Sequence, residues 1–323
     1  VLGSVIFIGL NILFLVVFKF GLMGYFLSSI IGNLSQVLYL IYVTKIYNYL
    51  KKQKDNKDTQ TEMLQYSCPL IANTIAWWIT NASDRYIVTW LCGTSANGIY
   101  SVAYKIPSVL NILQSIFTQA WTLSAVKEFD SDDKDGFFSN MYNGYNCLMV
   151  VACSFFIFSD KFFARILYSN DFYKAWKYVP FLLISIVFGA NSSYIGGIFS
   201  ALKKAKILAQ STTVGAVINI ILNVILVYIW GPIGAAVSTA ISYIIVWIIR
   251  LFYMNKYLHI ELHLKRDIIS YTILFFQTFV ILSVQTGFIM YLIEIIFFAI
   301  LILLYYKEIM LPIKSLKQKL WRK

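Results

Sequence analysis

The sequence predicts an all-α polytopic membrane protein, and three observations carry that expectation. Only 13% of the 323 residues are charged, about half the share in a water-soluble domain. Hydrophobic residues make up 59%, and the mean hydropathy is +0.70. The apolar residues also fall in continuous runs, without the alternation of lipid-facing strands. A helix needs about 20 mainly apolar residues to cross ~30 Å of hydrocarbon. Ten stretches meet that rule.

The first two, 1–18 and 22–44, join through "GLMGYFLSSI" from Gly21. Val1 already lies in an apolar run, with no charged leader or cleavage pattern before it, so this is not a signal peptide. A basic linker, 45–62 with "KKQKDNKD", leads to runs 64–91 and 98–126. The acidic "EFDSDDKDG" separates these from run 137–158. Residues 159–180 read as the longest outer segment, basic and aromatic, fitting the interfacial belt. Runs 179–201, 206–229 and 232–252 follow, the last opening on "GPIGAAVSTA" from Gly231. After a loop at 253–267 come two further helices within 268–306 and a basic tail, 307–323.

The two glycine-led stretches form a repeat. Gly21, Gly24, Ser28 and Ser29 match Gly231, Gly234, Ser238 and Thr239, and each copy follows an apolar run bearing Asn11 or Asn223. Small residues at this spacing let helices approach closely. The offset implies a six-helix unit ending in the hairpin: complete at 63–252, reduced to its last two helices at 1–44. About four helices are therefore expected before Val1 in the intact protein, and 268–306 is an addition to the repeat. Repeats in this parallel sense place a transporter's substrate site between the halves.

Ten crossings put both ends on one side. That side carries 20 Lys and Arg residues, including Arg250, against 6 on the other, with Lys105 apart. The positive-inside rule then makes both ends cytoplasmic. This placement accounts for the net charge of +12 without nucleic acid.

Charge inside the membrane is the informative exception. The turn "CGTSANG" centres near Ser95, with Arg85 ten residues before and Lys105 ten after. Antiparallel neighbours would bring Asp84, Arg85 and Lys105 to one depth. Each costs about 2.5–3.5 kcal/mol at a helix centre on insertion scales. Two readings compete: Asp84 neutralises one cation while the other snorkels, or the three face a water-filled cavity that attracts an anion. Pro107 favours the second, because it deprives the Ala103 carbonyl of its helical partner, and broken backbone is tolerated beside a cavity. Polar stripes lead inward. One holds Asn73, Trp77, Asn81 and Asp84; another, on the following helix, holds Lys105, Ser108, Ser115 and Gln119 beside Asn111, Gln114 and Thr118. Such stripes also serve as interhelical glue.

Elsewhere the chemistry is sparse. The four cysteines lack ligand spacing and read as packing residues. "HIELH" spaces two histidines at i, i+4, but its glutamate is misplaced for a metalloprotease motif, so neither metal nor cofactor is expected. Glu294 is the only acid of the final helix; a structural pair, an interface to a partner and a proton-coupling role are its readings.

The stretch "NASDRYIVTWLCGTSANGIYSVAYKIPSVLNILQSIFTQAWTLSAVKEF" and the "GPIGAAVSTAISY" hairpin resemble the Wzx-type polysaccharide flippases of the multidrug/oligosaccharidyl-lipid/polysaccharide exporter superfamily. The resemblance covers about residues 1–260, and "DRY…GIYSVAYKIP" is its most specific part. It implies two six-helix bundles around a central cavity in the bacterial cytoplasmic membrane. It also implies non-enzymatic flipping of undecaprenyl-diphosphate-linked oligosaccharide repeat units, as in O-antigen and capsule synthesis, with a polysaccharide polymerase and a chain-length regulator as candidate partners. On that reading Arg85 and Lys105 hold the diphosphate or an acidic sugar, and Asp84 pairs with them and is a candidate carrier of a coupling proton. Asn73, Asn81, Asn111, Gln114 and Gln119 bond the sugar, Trp77, Tyr100 and Tyr104 stack on it, and Pro107 shapes the gate. The rivals are a drug or cation exporter or a peptidoglycan-precursor flippase on the same fold, a membrane polymerase or acyltransferase, and a scaffold. A cationic drug suits an acidic cavity, and the loops are short and poor in acids and histidines for an enzyme.

Overall fold

The computed structural model describes residues 2–48, 56–129, 133–258 and 260–310. Most of the basic linker, the middle of the acidic loop, His259 and the tail beyond 310 lie outside the described residues. All regular structure among the described residues is helical, and the chain divides into two compact units, Val1–Gln60 and Thr61–Lys323.

The first unit is a hairpin. Helix α1 (Leu2–Asn11) continues as a π-helix over Ile12–Val17, and α2 spans Leu22–Thr44. The chain reverses at Gly21, whose φ of +55° favours glycine. Gly24 then brings the two backbones together: a Cβ there would stand 3.0 Å from the Phe14 Cβ.

The second unit comprises α3 (Lys57–Cys92) from Thr61 onward, α4 (Thr94–Ala103), α5 (Lys105–Lys127), α6 (Phe137–Leu167), α7 (Val179–Ala201), α8 (Ala205–Trp230), α9 (Pro232–Met254), α10 (Leu264–Ser283) and α11 (Phe288–Leu304). Its α8–α9 corner repeats the first. Gly231 sits at φ +67°, and a Cβ on Gly234 would overlap the Leu226 carbonyl oxygen at 2.2 Å. Ser28 and Ser238 are both fully buried and return their hydroxyls to carbonyls of their own helix.

Among the described residues six helices (α2 and α6–α10) are long and apolar enough to cross a membrane. The protein is a multi-pass membrane protein. Its second unit is organised on α7, buried along most of its length and packed against α5, α6 and α9. Gly197 leaves room for Trp121, which donates to the Tyr194 carbonyl at 2.8 Å. Helices α10 and α11 join α6 through polar contacts. Ser154 donates to Gln277 at 2.8 Å, and Gln277 donates to Glu294 at 3.0 Å. Such bonds matter in lipid, where apolar faces gain little by meeting each other.

Two expectations about charge change. Helix α6 runs on to Leu167, so Lys161 is no loop residue; it is buried, donating to Thr286 at 3.0 Å and lying over Trp176. Arg250 lies inside α9 and is buried. Its position four residues before the helix end had placed it among the loop charges. Removing both leaves the tally at 19 against 5.

Candidate functional site

Helix α3 carries the site because its polar residues recur on one side. Asn73, Trp77, Asn81 and Asp84 all face α8 and α9. Asn73 accepts from Thr212 at 2.6 Å, Trp77 meets the Tyr243 ring at 4.9 Å between centroids, and Asn81 accepts from Tyr243 at 3.3 Å. Asp84 closes the stripe at the far end.

Asp84 is fully buried and receives four donors. The Tyr100, Tyr104 and Thr239 hydroxyls reach Oδ2 at 2.9, 3.2 and 2.7 Å, and the Asn223 amide reaches Oδ1 at 2.6 Å. Asn219 orders this set, donating to Thr239 at 3.2 Å and accepting from Asn223 and Ser83. The expected pairing with cations does not occur. Arg85 is exposed and lies over the Tyr104 ring at 5.5 Å, while Lys105 is exposed. Among the described residues neither forms an ion pair. Helical geometry gives the reason: neighbouring residues point about 100° apart, so an inward Asp84 turns Arg85 outward. The turn is also tighter than "CGTSANG" suggests. Only Gly93, at φ +88°, separates α3 from α4.

The proline break is present. Helix α4 ends at Ala103, the residue whose carbonyl Pro107 leaves without a helical partner, and α5 begins at Lys105. Tyr104 sits at the break with one side on Asp84 and the other on a cavity of about 310 Å³. From α3 this cavity takes Trp77 and Asn81, from α5 Asn111 and Gln114, from α7 Ser185 and Ser193, and from α9 Thr239 and Tyr243. Gln114 donates to Ser193 at 3.2 Å. A second, more open polar groove shares Asn111, Gln114 and Ser193 and continues along α5 past Ser115, Thr118 and Gln119. Of the residues singled out in the sequence, Trp77, Asn81, Tyr104, Asn111 and Gln114 line the cavity, and Gln119 lines the groove. Asn73 lies instead on the buried Arg250, and Arg85, Lys105 and Pro107 line neither opening.

Arg250, unrecognised in the sequence, forms a second polar centre. It is 2% exposed. Its Nε donates to Ser211 Oγ at 3.0 Å, Nη1 to the Ser192 carbonyl at 2.8 Å, and Nη2 to Thr212 Oγ1 at 2.8 Å and Asn73 Oδ1 at 3.4 Å. Its guanidinium lies 5.9 Å from the Trp77 ring centre. Asn223 and Thr239 were visible in the sequence only as members of the repeat.

What the arrangement can do follows from its surfaces. Amides and hydroxyls can bond sugar hydroxyls, and Trp77 and Tyr243 can stack on apolar sugar faces. The volume falls at the lower end of small-molecule sites, about 300–1,000 Å³.

Comparison with known proteins agrees with this architecture. Residues 2–123 match the family model described as "Polysaccharide biosynthesis protein". No curated protein matches the sequence. Among solved structures, the lipid II flippase MurJ in an inward closed conformation superposes with a TM-score of 0.63 at 18% identity, over 96% of this chain and 67% of that one. A transporter of the MOP superfamily from Pyrococcus furiosus gives 0.51 at 17% identity, over 71% and 57%. An outward-facing multidrug resistance MATE transporter of the same superfamily gives 0.54 at 16%, over 72% and 56%. The chain spans about two thirds of the flippase chain and little more than half of the other two. It has the helical fold of these transporters, and its first 123 residues are similar to the polysaccharide biosynthesis family.

Proposed function

We propose that the protein is a Wzx-type flippase that moves undecaprenyl-diphosphate-linked oligosaccharide repeat units across the bacterial cytoplasmic membrane. Both chain ends lie in the cytoplasm and two helical bundles alternate in access. The observation that carries this reading is the cavity itself: amides, hydroxyls and two aromatic rings gathered between membrane helices, with a polar groove leading away along α5. Hydrocarbon offers such groups no partners, and stranding them costs several kcal/mol each. Their concentration at an open volume suits a polar, uncharged ligand such as a sugar. The match of residues 2–123 to a polysaccharide biosynthesis family supports the same direction.

Roles follow. Asn81, Asn111, Gln114 and Gln119 bond sugar hydroxyls, Trp77 and Tyr243 supply stacking faces, and Tyr104 links the cavity wall to Asp84. The exposed Arg85 and Lys105 meet the diphosphate outside the closed cavity. Asp84 holds the α3–α4 corner on α8 and α9, and is the group through which a coupling proton would act.

The test is movement of a fluorescent undecaprenyl-diphosphate oligosaccharide across reconstituted vesicles, paired with polymer export in cells. Wild-type activity that falls on Asn111→Ala/Gln114→Ala is expected. Export unchanged by Arg85→Gln/Lys105→Gln would remove those cations from the mechanism. Vesicles that move no lipid-linked sugar would remove the function.

A further inference from the structure

Arg250 is a buried cation with no counter-ion. Among the described residues no carboxylate pairs with it. Arg266, by contrast, is held by Asp267 at 3.0 Å and by Glu308. A buried charge without a charged partner costs several kcal/mol, even when neutral groups solvate it. Such a charge persists where it serves something other than the fold.

Its partners do not depend on it. Ser211 and Thr212 each also donate to the Leu208 carbonyl, at 3.0 and 2.9 Å, and Thr212 reaches Asn73 as well. The Ser192 carbonyl belongs to the interior of α7. Space is reserved for the guanidinium nonetheless: a Cβ on Gly196 would stand 3.1 Å from Nη1. Among the described residues Ser192 Oγ, fully buried, has no hydrogen-bond partner. Its neighbour Ser193 and the ring beneath the guanidinium, Trp77, both line the cavity. One unneutralised cation and one idle hydroxyl thus lie just behind the cavity wall, about 16 Å of helix from the acid at Asp84.

We propose that Arg250 is an anion-binding residue: as the helices part, its guanidinium exchanges neutral oxygens for the phosphate oxygens of the substrate, while Trp77 holds the adjoining sugar. This rests on the flippase reading and assigns the substrate's diphosphate a site within the second unit. The planar fork matches a phosphate bidentately, and no bond other than hydrogen bonds is made or broken.

The experiment uses the full chain in phosphatidylcholine nanodiscs, titrated with farnesyl diphosphate, farnesol and inorganic diphosphate. Wild-type protein is expected to bind the two diphosphates and not farnesol. Tighter binding of the farnesyl form identifies a lipid headgroup, and equal binding a free anion. Arg250→Met weakens binding about 10- to 100-fold, the loss of one charge-assisted pair, and Arg250→Lys stays within about tenfold of wild type. If Arg250→Met does not fold, Arg250→Gln, which can keep part of the bond set without the charge, decides. Neutral variants that bind diphosphate as wild type does, or a wild type that binds neither diphosphate, overturn the proposal. Loss of binding in Arg250→Met together with wild-type vesicles that move no lipid-linked sugar would keep the anion site and overturn the function.

Discussion

The second unit buries two opposite charges on the same three helices, α3, α8 and α9, and treats them differently. Asp84 is surrounded by donors that have little else to do. Among the described residues the Tyr100 and Tyr104 hydroxyls find only Asp84 and each other, and the Thr239 hydroxyl already accepts from Asn219. Arg250 is surrounded by oxygens that are satisfied without it. The first charge is built into the fold, and removing it strands its neighbours. The second is accommodated by the fold, and removing it strands almost nothing. Burial alone therefore does not rank charged residues; the alternatives left to their partners do.

The change expected to break the comparison outright is Gly234→Val, which would drive a side chain into the Leu226 carbonyl and part α8 from α9. Both centres hang on that hairpin, so monodisperse protein should not be recovered from detergent extraction. Asp84→Leu comes next. It leaves three hydroxyls and an amide short of their acceptor, at about 1–3 kcal/mol per stranded group. The melting temperature in detergent should drop sharply and transport should cease. A melt at the wild-type temperature would show that the donors find other acceptors.

Arg250→Met sharpens the contrast, because its expected effects diverge. Stability should stay within about 1 kcal/mol of wild type or rise, as when buried ions are replaced by apolar groups of similar volume, while oligosaccharide flipping falls at least tenfold. A large loss of stability would make Arg250 a second Asp84. The smallest effect is expected from Tyr243→Phe. Its hydroxyl reaches Asn81 at 3.3 Å, near the outer limit of a hydrogen bond. Stability should change by less than about 0.5 kcal/mol, and only vesicle flux should report the lost cavity hydroxyl.

Much of the architecture was legible in the chain itself. Each apolar run is a helix, the Pro107 break falls at Tyr104, and both glycine-led corners form hairpins. These features are local: helix length follows from continuous apolarity, a proline removes one N–H, and a glycine alone takes positive φ without strain. The stripe from Asn73 to Asp84 was legible for a similar reason, since helical periodicity sets which residues share a face.

Partners were not legible. Symmetric spacing about Ser95 suggested that Asp84 would meet Arg85 and Lys105, yet Asp84 found Tyr100, Tyr104, Asn223 and Thr239. Arg250 and Lys161 were read as loop charges because they lie near helix ends, although both are buried. Sequence by itself determined where the helices run, where they break and which faces are polar, because those depend on groups within a turn or two of backbone. Which face met which neighbour, and so which charge was neutralised and which left without a partner, depended on rotations and separations of helices up to 177 residues apart. Only the packed tertiary structure decided it.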